Sequence, residues 1–218
     1  MKRKLLSILT VLLAITCAFT MFTACTPSVD NDDDGGKTPE VKELTYELNS
    51  DGESYMLTGF KAEGFSEVII PDTYEGKPVT VIATDAFTIK TGSLKIKSIK
   101  VGKNVEIIKE KAFQRCDNLE TFEFADGSKL TTIEKNAIGA SILFKNIIIP
   151  ESVVNIASGA FSPCQNLNIF LNIEEAAAGF EENWSIINFD TYGDPVLPAA
   201  VFYKGEWSVV NGLPVKNA

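Results

Sequence analysis

Four groups of residues in this 218-residue chain could do chemistry: paired carboxylates, two internal cysteines, a set of C-terminal aromatics and an aspartate run near the N-terminus. Histidine is absent, which removes the usual general base, the Ser-His-Asp arrangement and most zinc sites together. Catalysis would therefore fall to carboxylates. Glu174-Glu175 and Glu181-Glu182 stand in adjacent pairs, but neighbours on a strand or helix point in different directions and do not flank one bond as glycosidase acids must. They read as solvated surface. With no G-x-x-x-x-G-K-[ST] or G-x-G-x-x-G run, a nucleotide site has no support either. The chain is predicted not to be an enzyme, and to need no cofactor or metal.

The remaining groups are weaker still as reaction centres. Asp30-x-Asp32-x-Asp34-Gly35 has the oxygen spacing of the first half of a calcium loop, yet position twelve is Val41 and Pro39 intrudes, so a solvated tether is expected. Cys116 and Cys164 occupy the same place in repeats two apart. At ~4.8 Å per rung that is ~10 Å, beyond the ~7 Å Cα limit of a disulfide, which predicts two buried free thiols. Trp184, Tyr192, Phe202, Tyr203 and Trp207 could stack on sugar rings, Trp184 and Trp207 above all. Their alternative is to cover the last exposed apolar face while keeping a polar tip wet.

The elements that would position these residues are legible from a repeat. Ile-x-x-x-Ala-Phe occurs at Ile82…Ala86-Phe87, Ile108…Ala112-Phe113 and Ile156…Ala160-Phe161, with Ile133…Ala137-Ile138 between them. The successive offsets are 26, 25 and 23 residues, a solenoid period. Between these landmarks run Ile96-x-x-Ile99-x-Val101, Leu119-x-x-Phe122-x-Phe124 and Phe144-x-x-Ile147-x-Ile149, preceded by Val68-Ile69-Ile70-Pro71. Alternate residues of such a strand face the core. A second short extended stretch follows each: Val79-x-x-Ile82, Val105-x-x-Ile108, Leu130-x-x-Ile133 and Val153-x-x-Ile156. The small Ala lets the backbone turn closely, and the Phe fills the space between rungs. One unit alone exposes its apolar edge, so only stacking makes a core.

Taken in order, the strand-Pro, Val-x-x-Ile and Ala-Phe-x-x-Cys elements resemble the BspA-like class of leucine-rich repeat of bacterial cell-surface proteins. The resemblance covers about residues 55–172. Ile138 and Ser141 depart from it in the third unit, the first unit is longer after Phe87, and the second carries an insertion around Asp126-Gly127. The implied fold is mainly β, a solenoid of about four to five rungs of short parallel strands joined by short turns or helical corners. The implied role is attachment to host or bacterial surface molecules such as extracellular-matrix proteins.

Residues 41–66 are predicted to form an N-terminal cap hairpin, since Leu44-Tyr46-Leu48 alternates and Asn49-Ser50-Asp51-Gly52 is a turn signal before Tyr55-Met56-Leu57. Repeats fill 67–173, and 174–218 is expected to close the other end as an aromatic cap. On the strand face, the central solvent-facing residues are taken as Ile69, Lys100, Glu123, Ile148 and, by extension, Leu171. Three of these five are apolar, the kind of row a repeat protein uses for a ligand. The competing explanation is β-propensity alone, with Lys145 covering the stripe.

The N-terminus supplies an address. Lys2-Arg3-Lys4, an apolar run from Leu5 to Phe22 and then Thr23-Ala24-Cys25 have the parts of an export signal in order, placing a signal peptide at 1–24. Phe22-Thr23-Ala24-Cys25 resembles the lipobox of bacterial lipoproteins, which implies diacylglycerol on Cys25; Cys17 would leave an apolar stub, and an uncleaved anchor is the other possibility. Residues 25–40 then form a disordered acidic leash, similar to the surface-export signals of some lipoproteins. Cleavage removes three cations and moves the net charge from −9 to −12, which disfavours nucleic acid as a partner. The resulting expectation is a lipid-anchored protein of the bacterial cell envelope that binds an extracellular protein. Carbohydrate capture by the C-terminal aromatics, or a structural role in an envelope assembly, are the alternatives.

Overall fold

The structure is a computed structural model describing residues 43–61, 66–88, 95–139, 143–189 and 195–217. The export signal, Cys25, the leash, Ser141 and Tyr192 lie outside the described residues. Strands and turns make up the described chain, with no α-helix among these residues, so the corners are turns.

The chain begins with the antiparallel hairpin β1 (Leu44–Leu48) and β2 (Tyr55–Phe60). Asp51 builds its turn: one carboxylate oxygen accepts the N–H groups of Glu53 and Ser54 at 2.8 and 3.0 Å, and Gly52 takes φ 69°. These bonds hold the Asp51 carboxyl below its usual range. β2 then pairs in parallel with β5 (Lys77–Ile82), which β4 (Thr73–Tyr74) flanks, and so starts a ladder. β7 (Ile107–Ile108), β9 (Thr132–Ile133), β11 (Asn155–Ile156) and β13 (Gly179–Phe180) continue it in parallel.

The opposite wall holds the longer strands: β3 (Glu67–Ile70), β6 (Ser98–Val101), β8 (Thr121–Phe124), β10 (Asn146–Ile149), β12 (Asn168–Leu171) and β16 (Ala200–Phe202). All their pairings are parallel, but β3-β6-β8 and β10-β12-β16 are separate three-stranded sheets. Two antiparallel hairpins complete the C-terminal part, β14 (Ile186–Phe189) with β15 (Pro195–Pro198), and β17 (Trp207–Val210) with β18 (Leu213–Lys216).

The Ala-Phe corners stack as well. The N–H of Phe87 donates to the Ala112 carbonyl at 2.7 Å, that of Phe113 to Ala137 at 2.9 Å and that of Ile138 to Ala160 at 3.1 Å. Each corner turns through a left-handed residue one position before the Ala: Asp85, Lys111, Asn136 and Gly159. Inside, Phe60, Phe87 and Phe113 form a stack with centroids 5.7 and 5.0 Å apart. The stack ends at the smaller Ile138, where Phe122 from the strand wall turns edge-on to Phe113 at 5.0 Å. Rung after rung, apolar residues from both ladders and the corners merge into one continuous core.

Both internal cysteines are buried and not joined to each other by a disulfide, matching the distance argument. Burial pushes the Cys116 thiol up to about 12, with the Asp117 charge adding to it. Cys164 donates a weak 3.9 Å contact to the Ile138 carbonyl.

The ladders run further than expected. Residues 174–218 do more than cap, because β13 adds a rung to one wall and β16 a strand to the other. Asn183, at φ 62°, repeats the left-handed corner of Asn136, and Trp184 stands where earlier corners carry Ala. Too large to be enclosed between rungs, its indole is half-buried and meets Phe180 edge-on at 5.0 Å.

Candidate binding face

A parallel strand packed on one side presents every second residue outward. In β3, β6, β8, β10 and β12 the register aligns Ile69 with Lys100, Lys100 with Glu123, and Ile148 with Phe170. Ile69 is 47% exposed, Lys100 and Glu123 are exposed, and Ile148 is half-buried. Four of the five residues assigned to the solvent-facing row therefore stand on it.

Leu171 does not. It is 1% exposed and pairs with the core residue Ile149, so the outward position in β12 belongs to Phe170. Ile169, Phe170 and Leu171 are all apolar, so alternation carries no phase there. The fixed point is Asn168, whose amide donates to Asn146 on the neighbouring strand at 2.9 Å. Aligning these two asparagines in the sequence would have placed Phe170 correctly.

Phe170 is itself covered. Phe202 stacks on it at 5.0 Å and Trp207 meets it edge-on at 5.3 Å, while the Trp207 indole N–H donates to the Leu171 carbonyl at 3.0 Å. This anchor ties the β17–β18 hairpin to β12. The Tyr203 N–H donates to the Glu206 carboxylate at 2.8 Å and helps fix the hairpin's entry. Trp184 and Trp207 are thus both engaged in packing, and they do not form one shared platform: Trp184 contacts Phe180, and Trp207 contacts Phe170.

The hairpin tip reaches back toward β8 and β10 and bounds a groove of about 690 Å³. Its floor includes Phe124 and Ile148, and Leu213 and Pro214 come from the tip. Leu143 and Lys145 line it from the segment before β10. No local signal in the sequence announces this groove, because its two sides lie roughly 60 to 90 residues apart in the chain. It falls where the strand wall divides into two sheets.

Among the described residues no group of three or more Cys, Asp or Glu side chains is placed to hold a metal ion. The strand face offers van der Waals and charged contacts across a broad surface, which suits capture of a chain or surface.

Known proteins share this architecture. A family model described as a BspA type leucine-rich repeat region matches residues 80–183 in six copies. A leucine-rich repeat protein from Bacteroides capillosus of solved structure is 26% identical with a TM-score of 0.50, the match covering 62% of this chain and 97% of that one. The pneumococcal vaccine antigen PcpA has a TM-score of 0.51 at 19% identity, covering 83% of this chain and 54% of that chain, a likeness of fold. A Treponema pallidum leucine-rich repeat protein is 23% identical over 77% of this chain and 86% of its own, with a TM-score of 0.48. No curated protein matches the chain. The stacked corners and strands of residues 80–183 are those of the BspA-type leucine-rich repeat that this region matches.

Proposed function

We propose that this protein is a non-catalytic capture module of the bacterial cell envelope, held by diacylglycerol on Cys25, that binds an extracellular protein through its strand face. The observation that carries the reading is the outward row Ile69, Lys100, Glu123 and Ile148, ending in a groove bounded by the chain's own hairpin. A repeat wall normally carries polar residues where it only meets water, and an exposed Ile69 on the same strand face as the groove is suited to a partner. The lipid anchor is supported by Phe22-Thr23-Ala24-Cys25 following the cationic and apolar segments. Carbohydrate capture is not preferred, since Trp184 and Trp207 are both engaged in packing.

The test is binding of the full chain, purified in mild detergent, to an array of matrix proteins and glycans at low and high salt. Saturable binding to a protein, lost when Ile69→Ser and Ile148→Ser are combined in a chain with unchanged circular dichroism, supports the reading. Binding that the double variant leaves intact, or binding to glycans alone, overturns it.

A further inference from the structure

We propose that the groove between β8, β10 and the β17–β18 tip holds a cationic, partly aliphatic segment of the partner protein, with lysine or arginine side chains on its acidic rim and aliphatic ones on its floor. This rests on the strand-face reading and names the ligand class for it.

The apolar part comes from an interruption in the wall. β8 closes the first three-stranded sheet and β10 opens the second, so the seam lies under the groove. In the other strands the residue at the Phe124 position is buried: Ile70, Val101, Ile149 and Leu171. Phe124 is only half-buried and lines the groove with the half-buried Ile148. Opposite them the tip supplies Leu213, 61% exposed, and Pro214. A leucine at the end of an anchored hairpin, beside a partly uncovered phenylalanine, leaves an apolar surface that an aliphatic side chain would cover.

The charge comes from Glu120, Glu123, Asp126 and Glu151 on the groove lining, against Lys145 as the only cation among the described residues that line it. Among the described residues none of these four carboxylates has an ion-pair partner within 4.0 Å. The cations of β6 and its approach, Lys97 and Lys100, line no part of the groove. Four solvated carboxylates around a volume typical of ligand sites favour a positively charged occupant and repel an acidic one. An aliphatic floor beneath an acidic rim matches a strand-like segment in which the two side-chain types alternate.

The probe is a capped, fluorescein-labelled hexapeptide of alternating lysine and valine, compared with its glutamine-for-lysine analogue. Binding is read on the full chain captured in zwitterionic detergent, with an empty detergent surface subtracted. The lysine peptide is expected to saturate and to bind about tenfold more tightly than the glutamine analogue. Glu120→Gln with Glu123→Gln should weaken it about fivefold, and Leu213→Ser should weaken it as well, whereas Glu174→Gln with Glu175→Gln, which removes equal charge elsewhere, should change it less than about twofold. Equal weakening by both charge pairs would show non-specific attraction and overturn the proposal, as would absence of saturable binding. Equal affinity for the two peptides, lost in Leu213→Ser, overturns the cationic assignment while leaving capture by the strand face intact. Capture of a matrix protein without peptide binding separates the two in the same way.

Discussion

Phe87 is the middle ring of the Phe60–Phe87–Phe113 stack, fully buried, with neighbours 5.7 and 5.0 Å away on its two sides. Replacing it with alanine removes a whole ring from between two rungs, and the hydrogen bond from its backbone to Ala112 limits how far the corner can collapse into the space. Large-to-small changes of this kind cost about 3–5 kcal/mol, and losing two favourable ring contacts places Phe87→Ala at about 4–5 kcal/mol. Small domains have only about 5–15 kcal/mol in total, so the variant should be close to unfolding at moderate urea. Phe60→Ala, at a half-buried position, should cost less. The assay is urea unfolding followed by far-ultraviolet circular dichroism and by tryptophan fluorescence in parallel. Both tryptophans, Trp184 and Trp207, lie in the C-terminal part, so coincident transitions in the two signals would mean that damage near Phe87 is transmitted through the whole ladder. A loss of less than about 2 kcal/mol by circular dichroism would refute the argument that the ring stack is a main source of cohesion between rungs.

Three further outcomes are expected. Lys111 holds a left-handed corner at φ 58°, and its ion pair with Glu110 is partly exposed and so worth little; Lys111→Gly should therefore raise stability by about 0.5–1 kcal/mol, read as a higher urea midpoint. At Gly102 a Cβ would come within 2.7 Å of the Pro71 backbone, so Gly102→Ala should cost about 1–3 kcal/mol and lower the midpoint. Cys116 titrates near its ordinary value of 9.0 when unfolded but is pushed up to about 12 in the fold, so between these values the unfolded chain binds fewer protons. Stability is then fully present below pH 9 and falls as pH rises, by up to about 1.4 kcal/mol per unit from this group, and Cys116→Ala should flatten that slope. Tyr46, also raised by burial, adds to the fall above pH 10.

The parts of the fold that were legible in the sequence share one property: their signal is local. The Ile-x-x-x-Ala-Phe corner fixes a turn, a core direction and a rung spacing within six residues, and Ile82, Ala86 and Phe87 are buried as that pattern demands. The hairpin at Asn49-Ser50-Asp51-Gly52 is equally local, since Asp51 makes the turn bonds itself. Leu171 fails where the local signal is degenerate, in a run of apolar residues that leaves both phases open. Trp184 shows the converse, a corner concealed by an unusual residue although Gly179-Phe180 and Asn183 keep the spacing. The groove fails for a stronger reason, because it depends on Leu213 and Pro214 meeting strands far earlier in the chain.

The same contrast explains why the candidate site lies where it does. A regular rung has its core residues buried on one side and its backbone groups bonded to neighbours on both, so it leaves a partner little beyond an outward row of side chains. Between β8 and β10 that regularity stops, Phe124 is less covered than its counterparts, and the turn with Asp126-Gly127 enters the lining. Stacking forces impose the repeat, and a specific site requires a departure from it. The β17–β18 hairpin sharpens the departure, since Trp207 fixes its base to β12 while its tip at Leu213 remains exposed. A hairpin acting only as a terminal cap would bury its apolar residues against the last rung, yet Val209, Val210, Leu213 and Val215 all remain exposed. Covering the last rung therefore does not account for the exposed Leu213 at the tip, whereas the proposed capture groove would give it a role.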